Sequence, residues 1–399
     1  MSVATLSADE VAAPRGRPRP LLSALMPRLY GLHFLNDGLQ GALLILLPTI
    51  TRQLGLDERA AGWIVFSHFL IGALLAMSAS AAARAVGKWR LMLLGLACGA
   101  LCFAAASAVG GFTSLWLVYL AAGAAFGFFH PVAFGLVAGE SKPRSMGRSM
   151  GLFTAAGDVG RVITVAAVLA MLAIVPWREL CMALGLAVAC GIFSLAVQAK
   201  GTRVSDAVAP RTSWRLNVQV DPSFWLLCAV GFLDGLATSA LAVFLPFLLS
   251  AKGYEPSTQA LLLPLFFASC LLGRVVIGWL GDPLGQRASL IGCDLAVGLA
   301  MLGLCFSHGV LGVGLTLLLL GVFSRGSLPL VLSMTAERVP ADRLGSAFAM
   351  NQLVLGAATT LSPLLMGQIS AAAGTTVAFA VGGGLALAAA VLVGCWSGR

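Results

Sequence analysis

Four polar side chains interrupt a stretch near the start of the chain that is otherwise apolar. They are His33, Asn36, Asp37 and Gln40, and they lie within residues 31–50. Offsets of three, four and seven residues place them on one face of a helix. A carboxylate near the middle of a membrane-spanning helix costs about 2.5–3.5 kcal/mol on insertion scales, so it usually marks a transport pathway. We therefore predict that Asp37 binds the coupling proton, with His33 beside it. Asn36 and Gln40 are predicted substrate contacts, and the alternative for Asp37 is a structural carboxyl group that a partner neutralises.

The composition indicates a membrane protein with many spans. Hydrophobic residues make up 59% of the 399 residues and charged residues only 10%, and the mean hydropathy is +0.95. A soluble domain cannot bury that much apolar surface. The net charge of +9 is concentrated in short loops, which signals topology and not nucleic-acid binding. The nine cysteines lie mostly within apolar runs, so we expect no disulfide framework.

Apolar runs long enough to cross a bilayer recur in two sets of six. The first set covers 25–50, 60–83, 90–110, 114–138, 148–173 and 179–198. The second set covers 223–250, 257–281, 288–307, 310–332, 344–369 and 375–396. The pattern predicts a disordered cytosolic tail at 1–24 without a signal peptide, bundles at 25–198 and 222–399, and a cytosolic linker at 199–221. Lys and Arg cluster in the tail and the even-numbered loops, which predicts that both termini are cytosolic.

The two sets of spans also repeat each other in sequence. The segment around Asp37 recurs around Asp234 at an offset of 197 residues. At an offset of 198 residues, Pro48, Gly55 and Gly87 recur as Pro246, Gly253 and Gly285. We therefore predict an all-α membrane protein with twelve transmembrane helices in two pseudosymmetric six-helix bundles, the design of alternating-access transporters. Asp234 is the predicted second proton-coupling carboxylate, at the depth of Asp37.

Two arginines and a histidine lie deep within other predicted spans. His130 and Arg325 occur in equivalent stretches of the fourth and tenth spans, and in the fifth span a spacing of three residues allows Asp158 and Arg161 to pair. An Arg at this depth is expensive unless it lines a wet cavity or has a partner. We predict that Arg161 and Arg325 bind an anionic or zwitterionic substrate, aided by His130, and that Asp158 takes part in proton coupling. The alternatives are structural ion pairs for both arginines and a neutral, hydrogen-bonded ring for His130.

Other polar residues within the spans receive simpler predictions. Asn351 and Gln352 in the eleventh span are predicted to contact the substrate, and His68 in the second span to line the cavity. Asp294 is predicted to be structural, because the ninth span of such bundles usually packs outward.

A glycine-rich loop follows the eighth predicted span. Gly278 and Gly285 permit a tight turn and close helix contact. Asp282 is predicted to pair with a nearby arginine, for which Arg274 is a candidate, and Arg287 completes this gating motif. The corresponding loop of the first half keeps the glycine and a basic residue but lacks the Asp.

Metal and enzyme chemistry have little support in the sequence. Met146 with Met150, and Cys98 with Cys102, have the helical spacing of soft-metal ligands, which leaves copper transport as an alternative. There is no phosphate-binding loop, zinc-ligand spacing or catalytic triad order. We therefore expect no enzyme activity, no cofactor and no resident metal.

Three short blocks resemble a known transporter family. Residues 32–37 with Gln40 and Pro48, residues 129–131, and residues 281–287 are similar to motifs of the fosmidomycin resistance protein family within the major facilitator superfamily. This resemblance implies a proton-coupled efflux permease for small, often anionic molecules.

Together these features predict a proton-coupled secondary transporter of a small anionic or zwitterionic solute, most simply an exporter that exchanges solute for protons. The alternatives are proton-driven uptake of a metabolite anion, a membrane sensor or lipid-handling protein that moves no solute, and the copper transporter. A sensor normally carries a cytosolic output domain, and the 23-residue linker is too short for one. The expected partners are a small-molecule substrate, protons and membrane lipids, without nucleic acid, for a monomer in a bacterial inner membrane.

Overall fold

Long apolar segments of this sequence form helices, because a helix satisfies its backbone hydrogen bonds internally wherever water is absent. The computed structural model describes residues 22–141, 146–198, 222–340 and 344–396, and these ranges contain sixteen α-helices. Eleven spans are long and apolar enough to cross a membrane, and one pair of helices bent by 41° makes the twelfth. The prediction of an all-α protein with twelve spans is confirmed.

The helices divide into eight per half. The first half consists of α1 (Leu22–Gln53), α2 (Glu58–Ala76), α3 (Ala79–Val86), α4 (Lys88–Ala106), α5 (Phe112–Gly127), α6 (Phe129–Glu140), α7 (Met146–Met171) and α8 (Trp177–Gln198). The second half consists of α9 (Pro222–Thr238), α10 (Leu241–Ala251), α11 (Pro256–Leu284), α12 (Gln286–Phe306), α13 (Gly309–Phe323), α14 (Ser327–Arg338), α15 (Leu344–Ala373) and α16 (Thr375–Gly394).

The backbone carries the internal repeat that the sequence predicts. Gly55 and Gly253 both adopt a positive φ, of 67° and 82°, at the turns after α1 and α10. Gly87 and Gly285 do the same, with φ of 93° and 81°, between α3 and α4 and between α11 and α12. Only glycine adopts this conformation without strain, so the matched glycines are required by matched turns.

One span in each half is broken at a matched position. The α5–α6 break lies at Phe128, and the α13–α14 break covers residues 324–326. Pro131 and Pro329, again 198 residues apart, occupy the first turns of α6 and α14. Proline has no backbone N–H and is tolerated in a first helical turn, so it favours a new helix start there. Interrupted helices are a frequent feature of transporter binding sites.

The two halves contact each other at the end of the bundle where α1 and α10 finish. Arg52 donates a hydrogen bond to Ser250 there. Gly62 packs directly on α15, since a Cβ on it would lie 2.7 Å from the Pro363 carbonyl oxygen and 3.0 Å from the Cα of Gly367. The two halves are therefore in contact at the end opposite the start of α1.

Candidate functional site

The buried carboxylate of Asp37 is the centre of a polar cluster in the first half. Arg161 Nη2 lies 2.7 Å from Asp37 Oδ2. The Nε2 atoms of His33 and His130 lie 3.3 and 3.2 Å from Asp37 Oδ1, and Asn36 Nδ2 donates to the same oxygen at 3.1 Å. Four groups from three helices therefore surround one carboxylate.

Glycines bring these helices close enough for the cluster to form. On α7, a Cβ at Gly157 would lie 2.6 Å from His33 Nε2, and a Cβ at Gly160 would collide with the carbonyl oxygen of Phe34 on α1. On α1, a Cβ at Gly41 would lie 2.8 Å from the Cγ of Arg161. Small residues at a helix interface allow close backbone approach within a membrane. This approach carries the Arg161 guanidinium to Asp37.

The ring of His33 is fixed in a single orientation. Its Nδ1 lies 2.7 Å from the carbonyl oxygen of Phe153, so Nδ1 carries a hydrogen and donates it. The ring also stacks on the Phe153 ring at a centroid distance of 4.1 Å. Nε2 is consequently the ring nitrogen that faces Asp37, and it lies 3.3 Å from His130 Nε2. The two imidazoles and Asp37 therefore form one connected polar cluster.

The polar stripe of α1 continues to Gln40. Gln40 Nε2 lies 3.4 Å from His68 Nε2, and His68 Nδ1 lies 2.9 Å from the carbonyl oxygen of Tyr119. His68 is buried, so it is part of the interior hydrogen-bond network and does not face an open cavity.

Arg161 also lines a cavity between the halves. The cavity has about 340 Å³ of empty space, part of it open to solvent. Its lining residues come from α7, α11 and the break before α14: Asp158, Arg161, Val162, Phe266, Phe267, Cys270, Leu271 and Arg325. The two arginines chosen from the sequence therefore share one cavity, which we call the central cavity.

The predicted pair within α7 exists, but it is not the closest contact of Arg161. Arg161 Nη1 lies 3.9 Å from Asp158 Oδ1, compared with the 2.7 Å between Nη2 and Asp37. The sequence interpretation did not join Arg161 to Asp37. A signal was available, since glycines recur three residues apart at 38 and 41 on α1 and at 157 and 160 on α7.

Asp234 lies in different surroundings in the second half. Ser327 Oγ donates to Asp234 Oδ2 at 2.7 Å. Asp234 and Ser327 line a separate cavity with about 320 Å³ of empty space, together with Asn351. Asn351 also donates to Thr335 Oγ1 at 2.9 Å. Asn351 therefore belongs to this second-half cavity, whereas the neighbouring Gln352 is exposed.

The gating motif is described only in part. Gly285 forms the tight turn expected of it. Arg287 donates to the carbonyl oxygens of Val393 and Gly394 at 3.2 and 3.1 Å, which ties the start of α12 to the end of α16. Three members of the motif lie outside the described residues apart from their helical backbone: Arg274, Gly278 and Asp282. The pairing of Asp282 with Arg274 therefore stays a prediction.

One group of described residues could hold a metal ion. The donor atoms of His33, Asp37 and His130 all lie within 4.8 Å of one another. The Arg161 guanidinium already supplies a positive charge to the same carboxylate, so the cluster is accounted for without a metal. The Cys98 and Cys102 pair suggested by the sequence is not part of this group.

A twelve-span helical bundle in two repeated halves, with charged side chains buried around a cavity between them, is the architecture of a secondary transporter. Residues 29–231 and 227–399 match the model of the Major Facilitator Superfamily. The chain belongs to that superfamily.

Individual relatives are more distant. The multi-drug resistance efflux pump PmrA of Streptococcus pneumoniae is 28% identical over 169 residues, which cover 41% of this chain and 42% of the pump. The match thus spans about two fifths of the length of that relative. Two strains of the same organism carry the matching pump.

Solved structures share the fold over almost the whole chain. A bacterial homologue of the human lysosomal transporter Spinster, in an inward-facing and unoccupied conformation, has a TM-score of 0.73 at 15% identity, with 94% of this chain and 95% of that chain covered. The nucleoside transporter NupG has a TM-score of 0.77 at 14% identity, with 92% and 98% covered. The human organic anion transporter MFSD10 has a TM-score of 0.64 at 17% identity, with 94% and 100% covered. These similarities establish the fold alone.

Proposed function

We propose that this protein is a proton-coupled transporter of small organic anions, which works by alternating access and binds the proton and the anion together. The observation that carries the proposal is the position of Arg161. Its guanidinium lies 2.7 Å from the Asp37 carboxylate and also lines the central cavity. The same positive charge can therefore serve a carboxylate of the protein or a negative group of the substrate.

Charge balance decides which ligands bind together. While Asp37 is ionised, it neutralises Arg161 and competes with any anion in the cavity. Once Asp37 takes up a proton, that competition ends and Arg161 attracts the anion. Coupling between two binding events is reciprocal, so a bound anion also favours the protonated form of Asp37. Positive coupling of this kind moves proton and anion in the same direction.

His130 is the proposed entry point for the proton. Its side chain is 37% exposed, whereas the side chains of Asp37 and His33 are 6% and 3% exposed. Since His130 Nε2 lies 3.2 Å from Asp37 Oδ1, a proton taken from water at the exposed side of His130 can pass directly to the carboxylate. A histidine suits this role because its charge changes near neutral pH in ordinary surroundings.

The residues that line the central cavity indicate which class of substrate it would bind. Arg161 belongs to the first half and Arg325 to the second, so an anion between them ties the halves together. Binding energy that differs between open and closed states is what drives closure. Phe266, Phe267 and Leu271 supply an apolar wall. We therefore propose a substrate with a negative group and an apolar or aromatic body.

A pH gradient across proteoliposomes tests this function. Two matched aromatic probes are used, naphthalene-2-sulfonate as the anion and ethidium as the cation. The proposal predicts that an alkaline interior drives accumulation of the sulfonate and not of ethidium, whichever way the protein is inserted. Accumulation of ethidium contradicts the proposal. So does the absence of any accumulation of either probe, whether the vesicle interior is alkaline or acidic.

Export in exchange for protons is the second candidate. It is supported by the similarity to a multi-drug resistance efflux pump and by the motifs that resemble the fosmidomycin resistance family. The same assay separates the candidates, because an exchanger accumulates its substrate when the vesicle interior is acidic. Cytosolic termini, an inner-membrane location and function as a monomer complete the proposal.

A further inference from the structure

The second half buries two carboxyl groups that the proposed function does not require. Asp234 is 7% exposed and Asp294 is 0% exposed. Within the part of the chain that the structure describes, Asp234 Oδ1 has no hydrogen-bond partner, although Ser327 donates to the other oxygen of Asp234. Neither carboxyl oxygen of Asp294 has a hydrogen-bond partner there. Among the described residues, no basic side chain forms an ion pair with either group.

The two carboxyl groups lie on helices that pack against the same two partners. α9, which carries Asp234, and α12, which carries Asp294, both pack on α14 and α16. Gly326 lies against α12, since a Cβ on it would lie 3.0 Å from Cys293 Sγ. The next residue, Ser327, holds Asp234. Two consecutive residues, Gly326 and Ser327, therefore contact Cys293, which precedes Asp294, and Asp234 itself.

Few other charges act on this pair. Arg325, in the break before α14, attracts Asp234 without reaching ion-pair distance. Cys228 on α9 and Cys293 on α12 are the titratable neighbours from the helices that carry the pair. α13, α15 and α16 contain no charged residue. On α11 the side chain of Arg274 lies outside the described residues.

These surroundings suit a neutral carboxylic acid far better than a carboxylate. An ionised group that is buried without a hydrogen-bond donor or a counter-charge is very costly, and a second negative charge beside it adds to the cost. A neutral carboxylic acid costs less to bury, because it has no charge that a hydrogen-bond donor or a counter-charge must stabilise. A proton on either carboxyl group removes one of the two charges.

We propose that Asp234 and Asp294 form a second proton-binding site, which is loaded from the second-half cavity. Asp234 lines that cavity and Asp294 does not. A hydronium ion in that cavity therefore gives its proton to a carboxyl oxygen of Asp234 first: one O–H bond of hydronium breaks, a carboxyl O–H bond forms, and a water molecule is left. The site adds a proton in the second half to the one on Asp37 in the first.

Infrared difference spectroscopy of the purified protein tests this proposal without a substrate. A protonated carboxyl group has a C=O stretching band separate from the bands of carboxylates, and the band shifts when the proton is exchanged for deuterium. We expect wild-type protein at neutral pH to show this band. Asp294→Asn removes or strongly reduces it, and Asp234→Asn shifts or reduces it. Asp37→Asn, the matched control in the first half, leaves it unchanged.

Each outcome decides the proposal. The absence of the band from wild-type protein at neutral pH overturns it, and so does a band that only Asp37→Asn removes. A band that neither Asp234→Asn nor Asp294→Asn alters also overturns it. If Asp294→Asn does not fold, the Asp234→Asn spectrum decides alone. Because no transport is measured, the spectra remain valid if the proposed function fails. If the spectra overturn the second proton-binding site, the proposed function is not affected.

Discussion

The two halves of this protein hold equivalent carboxylates in opposite ways. Asp37 has a guanidinium at 2.7 Å, an amide donor and two imidazoles around it. Asp234, 197 residues later in the repeat, has one serine hydroxyl and no ion pair among the described residues. The first half therefore stabilises a negative charge, and the second half disfavours one.

The two halves share their backbone turns and helix breaks but differ in the side chains around the equivalent carboxylates. Turns and helix breaks are matched, because the glycines at 55 and 253 and the prolines at 131 and 329 satisfy backbone requirements common to both halves. The side chains that compensate buried charge are not matched. Arg161 on α7 has no counterpart on α15, whose sequence contains no charged residue. Within the described residues, the side chains that compensate a buried negative charge are thus concentrated in the first half.

The largest effect is expected from Arg161→Gln. It leaves Asp37 buried without its counter-charge, and breaking a buried ion pair on one side costs about 3–5 kcal/mol. We expect a large loss of thermal stability in detergent and no transport. Asp37→Asn in the same chain should recover stability but not transport, whereas Asp158→Asn should not recover stability. If Asp158→Asn is the better rescue, the 3.9 Å contact within α7 is the one that matters.

A smaller effect is expected from Gly160→Ala, which tests how the first half is assembled. The added methyl group collides with the Phe34 carbonyl and pushes α7 away from α1. Overpacking of this kind costs about 1–3 kcal/mol, and the displacement should also weaken substrate binding through Arg161. Gly151→Ala on the same helix is the matched control, since no atom lies within 4 Å of its Cβ position. Equal thermal stability and equal transport in the two variants argue against this close approach.

The smallest effect is expected at Arg325, the charge that the second half contributes. Arg325→Lys keeps the positive charge but loses the planar fork, so we expect weakened transport. Arg325→Gln should raise the KM for naphthalene-2-sulfonate about tenfold, which corresponds to about 1.4 kcal/mol. Stability should hardly change, because Arg325 is exposed and makes no ion pair among the described residues. An unchanged KM in Arg325→Gln would show that Arg325, the charge from the second half, does not contribute to substrate binding.

The fold could be predicted from the sequence, but only part of the candidate site could. Twelve apolar runs and the repeat predict the bundle, since hydrophobic length and turn glycines are local properties of the chain. The polar face of α1 could be found in the same way, from the spacing of His33, Asn36 and Asp37. Periodicity does not say which helix lies against that face, so the ion pair between Asp37 and Arg161 was missed. Asp294 was expected to be structural, and its lack of hydrogen-bond partners became visible only when packing was known.

In the proposed function, a proton on Asp37 and an anion at Arg161 bind together. The most direct measurement is the affinity of purified protein for naphthalene-2-sulfonate over a range of pH, for wild type and for Asp37→Asn. Asn mimics the protonated carboxyl group and leaves Arg161 available. We expect that wild-type affinity for the sulfonate rises as the pH falls, and that Asp37→Asn binds the sulfonate tightly at every pH where the protein is folded. Wild-type affinity that is independent of pH, or a weaker affinity in Asp37→Asn, would contradict it.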